Sequence, residues 1–177
     1  MYSSIGSTYE TGFGHDPGLL SFLAKTLPLL PAHSHILDLG SGTGRPVAST
    51  LAETGHQVFG LDFSETMIAL AKTAVPNATF ALGDMRSFEP LEYWHVEEGF
   101  DAVFSILSLF IFSREEIEGM VGKWARIRFT LFGREGWRWL LGRNGFEVLW
   151  EETDLFRPPV EAESNEEPHW FFVARRL

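Results

Sequence analysis

Short apolar runs closed by a glycine or a carboxylate alternate, over the first two thirds of the chain, with longer stretches whose apolar positions recur at helical spacing. The runs are Ile36 to Leu39, Gln57 to Asp62, Ala78 to Leu82 and Phe100 to Ile106. Near-continuous apolar segments of this length are what strands buried on both faces of a parallel sheet look like. The stretches between them carry helix punctuation. Asp16 and Pro17 open a helix over 17–30, with the carboxylate as N-cap and proline in the first turn. Arg45 to Glu53 reads as a helix ended at Gly55. Ser64 caps Glu65 to Ala74, which Pro76 stops. Ser113 and Glu116 form a capping box for a helix reaching about Trp124. Further on, Arg134 to Asn144 reads as a helix, Gly145 to Leu149 as a strand after a glycine stop, and His169 to Ala174 as the final strand. Strand and helix in alternation predict an α/β fold with helices on both faces of the sheet.

Composition narrows the setting. The 177 residues, 45% of them hydrophobic, suffice for one compact core without disulfides or metals. With no cysteine, zinc-thiolate sites and thiol nucleophiles are excluded, and a reducing, cytoplasmic compartment is the expectation. The apolar cluster from Leu19 to Leu30 is interrupted by Ser21, Lys25 and Pro28, too short to span a bilayer, and no basic-plus-apolar leader precedes it. Net charge is −10, with 24 acidic against 14 basic residues, so the long-range field repels phosphate polymers. Lys123, Arg126, Arg128 and Arg134 are interleaved with Trp124, Phe129 and Phe132, a pattern that suits base stacking, but the acidic 151–167 region opposes it. No membrane and no nucleic-acid partner is expected.

Candidate chemistry gathers where the apolar runs end. Ile36 to Leu39 leads into Gly40-Ser41-Gly42-Thr43-Gly44, and alternating glycines beyond a strand let the backbone turn and approach a ligand that a Cβ would exclude. Asp62 closes the second run 18 residues beyond Gly44, matching the acid that takes ribose hydroxyls about 20 residues after a glycine turn. The third run ends in Gly83-Asp84-Met85. A dinucleotide fingerprint would place a third glycine three positions after the second, where this chain has Arg45 followed by Pro46. A glycine-rich structural turn with solvated carboxylates is the remaining alternative.

Motif by motif, the chain resembles the class I S-adenosylmethionine-dependent methyltransferases, and most closely their small-molecule branch. The resemblance implies a Rossmann-like three-layer sandwich with a mostly parallel sheet and an antiparallel final strand, shortened in its C-terminal half. It implies that Asp38, Gly40, Ser41, Gly42, Thr43 and Gly44 hold the methionine part of S-adenosyl-L-methionine. Asp62 would take the ribose, with Phe63 and Met67 beside it; Gly83, Asp84 and Met85 the adenine side; and Phe100 to Leu109, the fourth motif, with Ser105, the ground under the sulfonium and substrate. The opening Tyr2 to Tyr9 resembles a mobile tyrosine-bearing segment that closes over cofactor, with Tyr9 as a contact. The expected organisation is a single domain over 1–177: a lid segment 1–16, a cofactor-binding core 17–124 and a shortened part 125–177.

Methyl transfer from a sulfonium is an in-line displacement that needs proximity, alignment and a dry pocket, without a catalytic triad. A general base helps only where the acceptor must lose a proton; His15 is the candidate, an exposed loop histidine being its competing reading. His33, His35 and His56 lie away from the glycine turn. No close His, Asp and Glu group has metal-ligand spacing, so no metal is expected. Ser105-Ile106-Leu107-Ser108-Leu109 lacks the Asn-Pro-Pro-aromatic run of DNA-base amino-methyltransferases, and with Phe110 and Phe112 it suits a hydrophobic small-molecule acceptor. Both phenylalanines can equally be core. The other function class is a methyltransferase-like protein that binds the cofactor but is inactive and serves as a partner or scaffold.

One region departs from the family pattern. Where a proline-glycine loop and a central fifth strand belong, Ala125 to Phe132 alternates apolar and polar positions, the period of a strand with one wet face. Roughly 40 to 60 residues are missing by comparison with the family and the usual size of such domains. A natural short variant, an altered splice or gene product, and a descendant that lost the chemistry all remain open. Exposed strand edges at such a gap predict a homodimer, or a sheet completed by Ile127 to Leu131. The surplus of 16 Phe and 6 Trp fits a buried interface or a large ordinary core.

Overall fold

The computed structural model describes residues 16–89, 93–94, 96, 99–109, 111–124, 129–130, 134–156 and 167–177. Helix α1 (Pro17–Thr26) starts as its capping residue dictates, with the Asp16 carboxylate accepting from the Gly18 N–H. A 3-10 turn, Leu27–Leu29, leads to β1 (His35–Leu39). Then come α2 (Val47–Glu53), β2 (Gln57–Asp62), α3 (Glu65–Ala74), β3 (Thr79–Leu82) and β4 (Ala102–Phe104). In α3 the Ser64 hydroxyl accepts from Met67 N–H, and in α4 (Arg114–Trp124) the capping box closes reciprocally between Ser113 and Glu116. The chain ends with β5 (Phe129–Thr130), α5 (Arg134–Arg143), β6 (Phe146–Phe156) and β7 (Glu167–Arg176).

Strands β3-β2-β1-β4 form a parallel sheet in that order, with Ile36 opposite both Val58 and Ala102. Alternate residues of one strand feed two separate cores. Ile36 packs with Phe22 and Leu23 of α1, Ala48 and Leu51 of α2 and Ala71 of α3. Leu37 and Leu39 point the other way, into a core with Met120 and Val121 of α4 and Leu140 and Leu141 of α5. Helices therefore cover both faces, as the alternating sequence predicts.

Strands β5-β7-β6 form a second, antiparallel sheet. β7 splits its side chains in the same way, Phe172 and Ala174 into one core and Phe171 and Val173 into the other, so it continues the central layer. Within the expected completing segment Ile127 to Leu131, Phe129 and Thr130 pair with Arg175 and Ala174 of β7, and β5 lies near β4 without a strand pairing to it among the described residues, so it does not complete the parallel sheet. The antiparallel last strand is as expected. β6 runs well past the predicted Leu149, and its distal part grips α1: Phe22 packs against Trp150, and Lys25 pairs with Glu152.

The strand order reverses at β1, with β2 and then β3 to one side and β4 to the other. Connections that leave in opposite directions open a crevice beyond the carboxyl ends of these strands, the usual ligand position in such sheets. The glycine turn, Asp62 and the loop after β4 all lie there.

Candidate functional site

The floor of the crevice is backbone. Gly40 N–H and Ser41 N–H both donate to the Leu61 carbonyl, at 2.8 and 3.0 Å, which ties the end of β1 to the end of β2. Gly40 and Gly42 have φ of 75° and 52°, a region that side chains rarely tolerate. They are glycine for different reasons. A Cβ on Gly40 would sit 2.3 Å from the Ser108 Cβ, whereas one on Gly42 would meet nothing within 4 Å and would project into the crevice. Asp62 braces this floor, its Oδ2 accepting from Gly42 N–H and its Oδ1 from Ser64 N–H, both at 2.9 Å.

The far wall comes from the loop after β4. Ser108 Oγ donates to the Leu39 carbonyl at 3.0 Å; its single proton is thereby used, so the 2.7 Å contact with Ser105 is a bond that Ser105 donates. Leu107, anchored between the two serines, has φ of 50°, an uncommon conformation for a non-glycine residue and one that recurs at functional clefts.

Two adjoining cavities result. One is lined by Gly40, Gly42, Asp62, Phe63, Met67, Met85, Leu107, Ser108, Ile111 and Phe112. The other is lined by Leu19, Asp38, Gly40, Ser41, Gly42, Thr43, Arg45, Pro46, Val47, Ile106 and Leu107. They meet at Gly40, Gly42 and Leu107, the first largely apolar and the second carrying the buried hydroxyls and a carboxylate.

Electrostatically the second cavity is unfinished. Among the described residues, Asp38 Oδ2, Ser41 Oγ and Thr43 Oγ1 are buried without a hydrogen-bond partner, an arrangement that costs about 1–3 kcal/mol per group unless a ligand completes it. Burial, with a smaller contribution from the charge of Asp62, pushes the Asp38 carboxyl up to about 7. Asp62 is also raised by burial, against the opposing pull of the N–H groups of Ser64, Gly42 and Phe63. A cationic group beside Asp38 would relieve both the desolvation and the repulsion.

Of the residues singled out from sequence, Asp38, Gly40, Ser41, Gly42, Thr43, Asp62, Phe63, Met67 and Met85 line the cavities. Gly44, Gly83, Asp84 and Ser105 do not. Gly44 and Gly83 allow close packing, the first against Phe80 and Val75, the second against Leu61 and Tyr93. Asp84 accepts from the Arg86 backbone and guanidinium, and Ser105 acts behind Ser108. Tyr9 and His15 lie outside the described residues. His33, His35 and His56 occupy the opposite end of the sheet: His35 opens β1, and His33 lies against the Gly55 carbonyl at 3.2 Å. The sequence placed Leu107 and Ser108 in the fourth motif without individual roles and named Phe112 as a candidate acceptor contact, and all three line the apolar cavity; it had not assigned Ile111 or the lining residues Leu19, Arg45, Pro46 and Val47. Leu107 is betrayed only by a backbone angle, and Ser108 only by its fit against Gly40.

The methyltransferase-domain family matches residues 36–128, just over half of the chain. The chain belongs to this family. It is 34% identical over 76 residues to trans-aconitate 2-methyltransferase of Escherichia coli O1:K1 / APEC, covering 42% of this chain and 28% of that protein. It is 33% identical over 97 residues to dTDP-3-amino-3,4,6-trideoxy-alpha-D-glucopyranose N,N-dimethyltransferase of Streptomyces venezuelae, covering 54% of this chain and 38% of that protein. The matched stretch thus spans about a third of the length of these curated relatives. The crystal structure of magnesium protoporphyrin IX methyltransferase from Synechocystis PCC 6803 with bound S-adenosylmethionine superposes with a TM-score of 0.71 at 21% identity, covering 93% of this chain and 80% of that one. The fold is therefore the Rossmann-like methyltransferase fold. Among the described residues, no helix is long and apolar enough to cross a membrane.

Proposed function

We propose that the chain binds S-adenosyl-L-methionine across the two cavities and directs its methyl group to a small, largely apolar organic acceptor. The carrying observation is the set of orphaned buried oxygens of Asp38, Ser41 and Thr43 beside a glycine floor in which Gly42 leaves open space where a Cβ would stand. When bound, the cofactor supplies an electrophilic methyl group on a sulfonium.

The chain's own residues then hold and orient. Asp38, ionised on binding, would face the cationic amino end, with Ser41 and Thr43 as hydroxyl partners. Asp62 retains acceptor capacity beyond its bonds from the N–H groups of Ser64, Gly42 and Phe63 and would take ribose hydroxyls. Phe63, Met67, Met85, Leu107 and Ile111 would enclose the flat apolar part and exclude water, as pockets for such groups do. A small acceptor is supported by relatives named for trans-aconitate and an amino sugar, and by the net charge of −10, which disfavours nucleic acid.

A cytosolic location and a homodimer complete the proposal. The dimer is supported by the outer edge of β6, which pairs with no described strand, and by exposed Trp139, Leu149 and Leu155; sedimentation velocity tests it. The second reading, a cofactor-binding protein without turnover, is favoured by the short span matched in the relatives. Labelled methyl transfer to a panel of small carboxylic acids and amines separates the two: transfer supports the enzyme, and cofactor binding without transfer to any of the panel supports the partner.

A further inference from the structure

Along α1, Gly18, Phe22 and Lys25 recur at helical spacing and share one face; along β6, Trp150, Glu152 and Asp154 recur at every second position and share another. The two faces meet. The Phe22 ring lies 5.6 Å from that of Trp150 and 4.8 Å from that of Phe171 of β7. Lys25 Nζ lies 5.9 Å from the Trp150 ring centre and 2.5 Å from Glu152 Oε2. At the start of the helix, Asp154 rests directly on Gly18: a Cβ there would stand 2.3 Å from Asp154 Oδ2 and 2.9 Å from both its Cβ and its Cγ. Swinging the carboxylate aside does not make room, because the Asp154 Cβ is itself in the way. Next to Gly18 in the same turn is Leu19, 2% exposed, which lines the polar cavity with Asp38, Ser41 and Thr43.

We propose that Asp154 is a positioning residue for that cavity: by stopping the first turn of α1 at Gly18 it sets where Leu19 stands in the cavity wall, and so how the amino-acid end of the ligand is held. The inference rests on the cofactor reading above. The contact is one of shape. Alanine is the better helix former, so the missing side chain at Gly18 answers to the strand packed on it and not to the helix. The Lys25 and Glu152 pair on the same face is exposed and contributes little by comparison. Leu19 does not line the apolar cavity, where the nucleoside end would sit, so the effect is confined to one end of the ligand.

The test is calorimetric titration of the full chain with S-adenosylhomocysteine and with 5′-methylthioadenosine, which keeps the nucleoside and the sulfur but lacks the amino-acid end, beside thermal unfolding to establish that each variant is folded. Gly18→Ala should weaken S-adenosylhomocysteine about tenfold and leave 5′-methylthioadenosine within about twofold of wild type. Asp154→Leu crowds the same contact from the strand side and should show the same selective loss. Asp154→Gly alone leaves a gap and should weaken S-adenosylhomocysteine about threefold. Gly18→Ala/Asp154→Gly should bind close to wild type, because the new methyl group fills the room that the aspartate side chain vacates. Folded Gly18→Ala and Asp154→Leu variants that bind S-adenosylhomocysteine like wild type, a double variant no better than Gly18→Ala, or equal loss of both ligands overturns the positioning role while leaving the cofactor site standing. A folded wild type that binds neither ligand overturns the cofactor reading, and this inference with it.

Discussion

The floor of the crevice is made of main chain: two glycines at positive φ, two N–H groups on one carbonyl of the neighbouring strand, and an aspartate that braces the turn. The far wall is made of side chains: Leu107, Ile111, Phe112 and Met85, held by a pair of serine hydroxyls. A backbone floor recognises what all ligands of one class share, because its donors and clearances do not vary with side-chain identity. On the proposed reading, acceptor and base selectivity would belong to the side chains of the wall. Gly40 joins the two, since its missing Cβ is the space that Ser108 occupies.

The largest break in this comparison should come at that joint. Gly40→Val forces a side chain into a 2.3 Å gap at φ of 75°; the expected cost is about 3 kcal/mol or more, read as a fall in unfolding midpoint of roughly ten degrees. An unchanged midpoint would show that the wall is not anchored there.

Asp62→Ala comes next: cofactor affinity should fall by about 1–3 kcal/mol as the ribose acceptor and the brace on Gly42 are both lost, and full affinity in this variant would misplace the site. Gly42→Ala sharpens the contrast with Gly40. Strain at φ of 52° costs on the order of 1 kcal/mol of stability, while the methyl group enters open crevice, so affinity should drop about tenfold in a protein that still folds. Equal losses of stability in the Gly40 and Gly42 variants would erase the distinction.

A further effect is electrostatic. The Asp38 carboxyl, about 7 when folded and in the ordinary range near 3.8 when unfolded, binds its proton more tightly in the native state. Its contribution to stability is therefore present below pH 4 and is lost as pH rises towards 7. A cationic ligand favours the ionised form, so binding should release a proton and tighten between pH 5 and about 7. Asp38→Asn should flatten that affinity profile and make the ligand-free fold more stable at pH 8; a profile unchanged by the substitution would remove Asp38 from the ligand's surroundings.

The floor was legible in sequence because each local signal agreed with the packing around it. Leu39 ends a strand, Gly40 must turn, Asp62 closes the next strand, and the caps at Asp16, Ser64 and Ser113 form as their spacing requires. Met85 and Phe112 of the wall were legible too, whereas Leu107, Ser108 and Ile111 were given no individual roles, because they are ordinary in type and acquire one only through a backbone angle or a contact across 69 positions, as between Ser108 and Leu39. β6 shows the same limit. Its extension through Glu151, Glu152 and Asp154 carries no apolar period, and a register shift between Val148 and Trp150 breaks what alternation exists. Pairing with β7 supplies the backbone partners, and contacts with α1 hold the arm in place. Helix α2 begins at Val47, two residues later than its sequence implies, because the glycine turn continues through Arg45 and Pro46.

Calorimetric titration of the folded chain with S-adenosyl-L-methionine, with NAD as the control, tests the central claim most directly. Saturable binding of S-adenosyl-L-methionine at micromolar concentration, weakened about tenfold in Gly42→Ala and absent with NAD, is the predicted result. No binding by a folded sample, or equal binding of NAD, would contradict it.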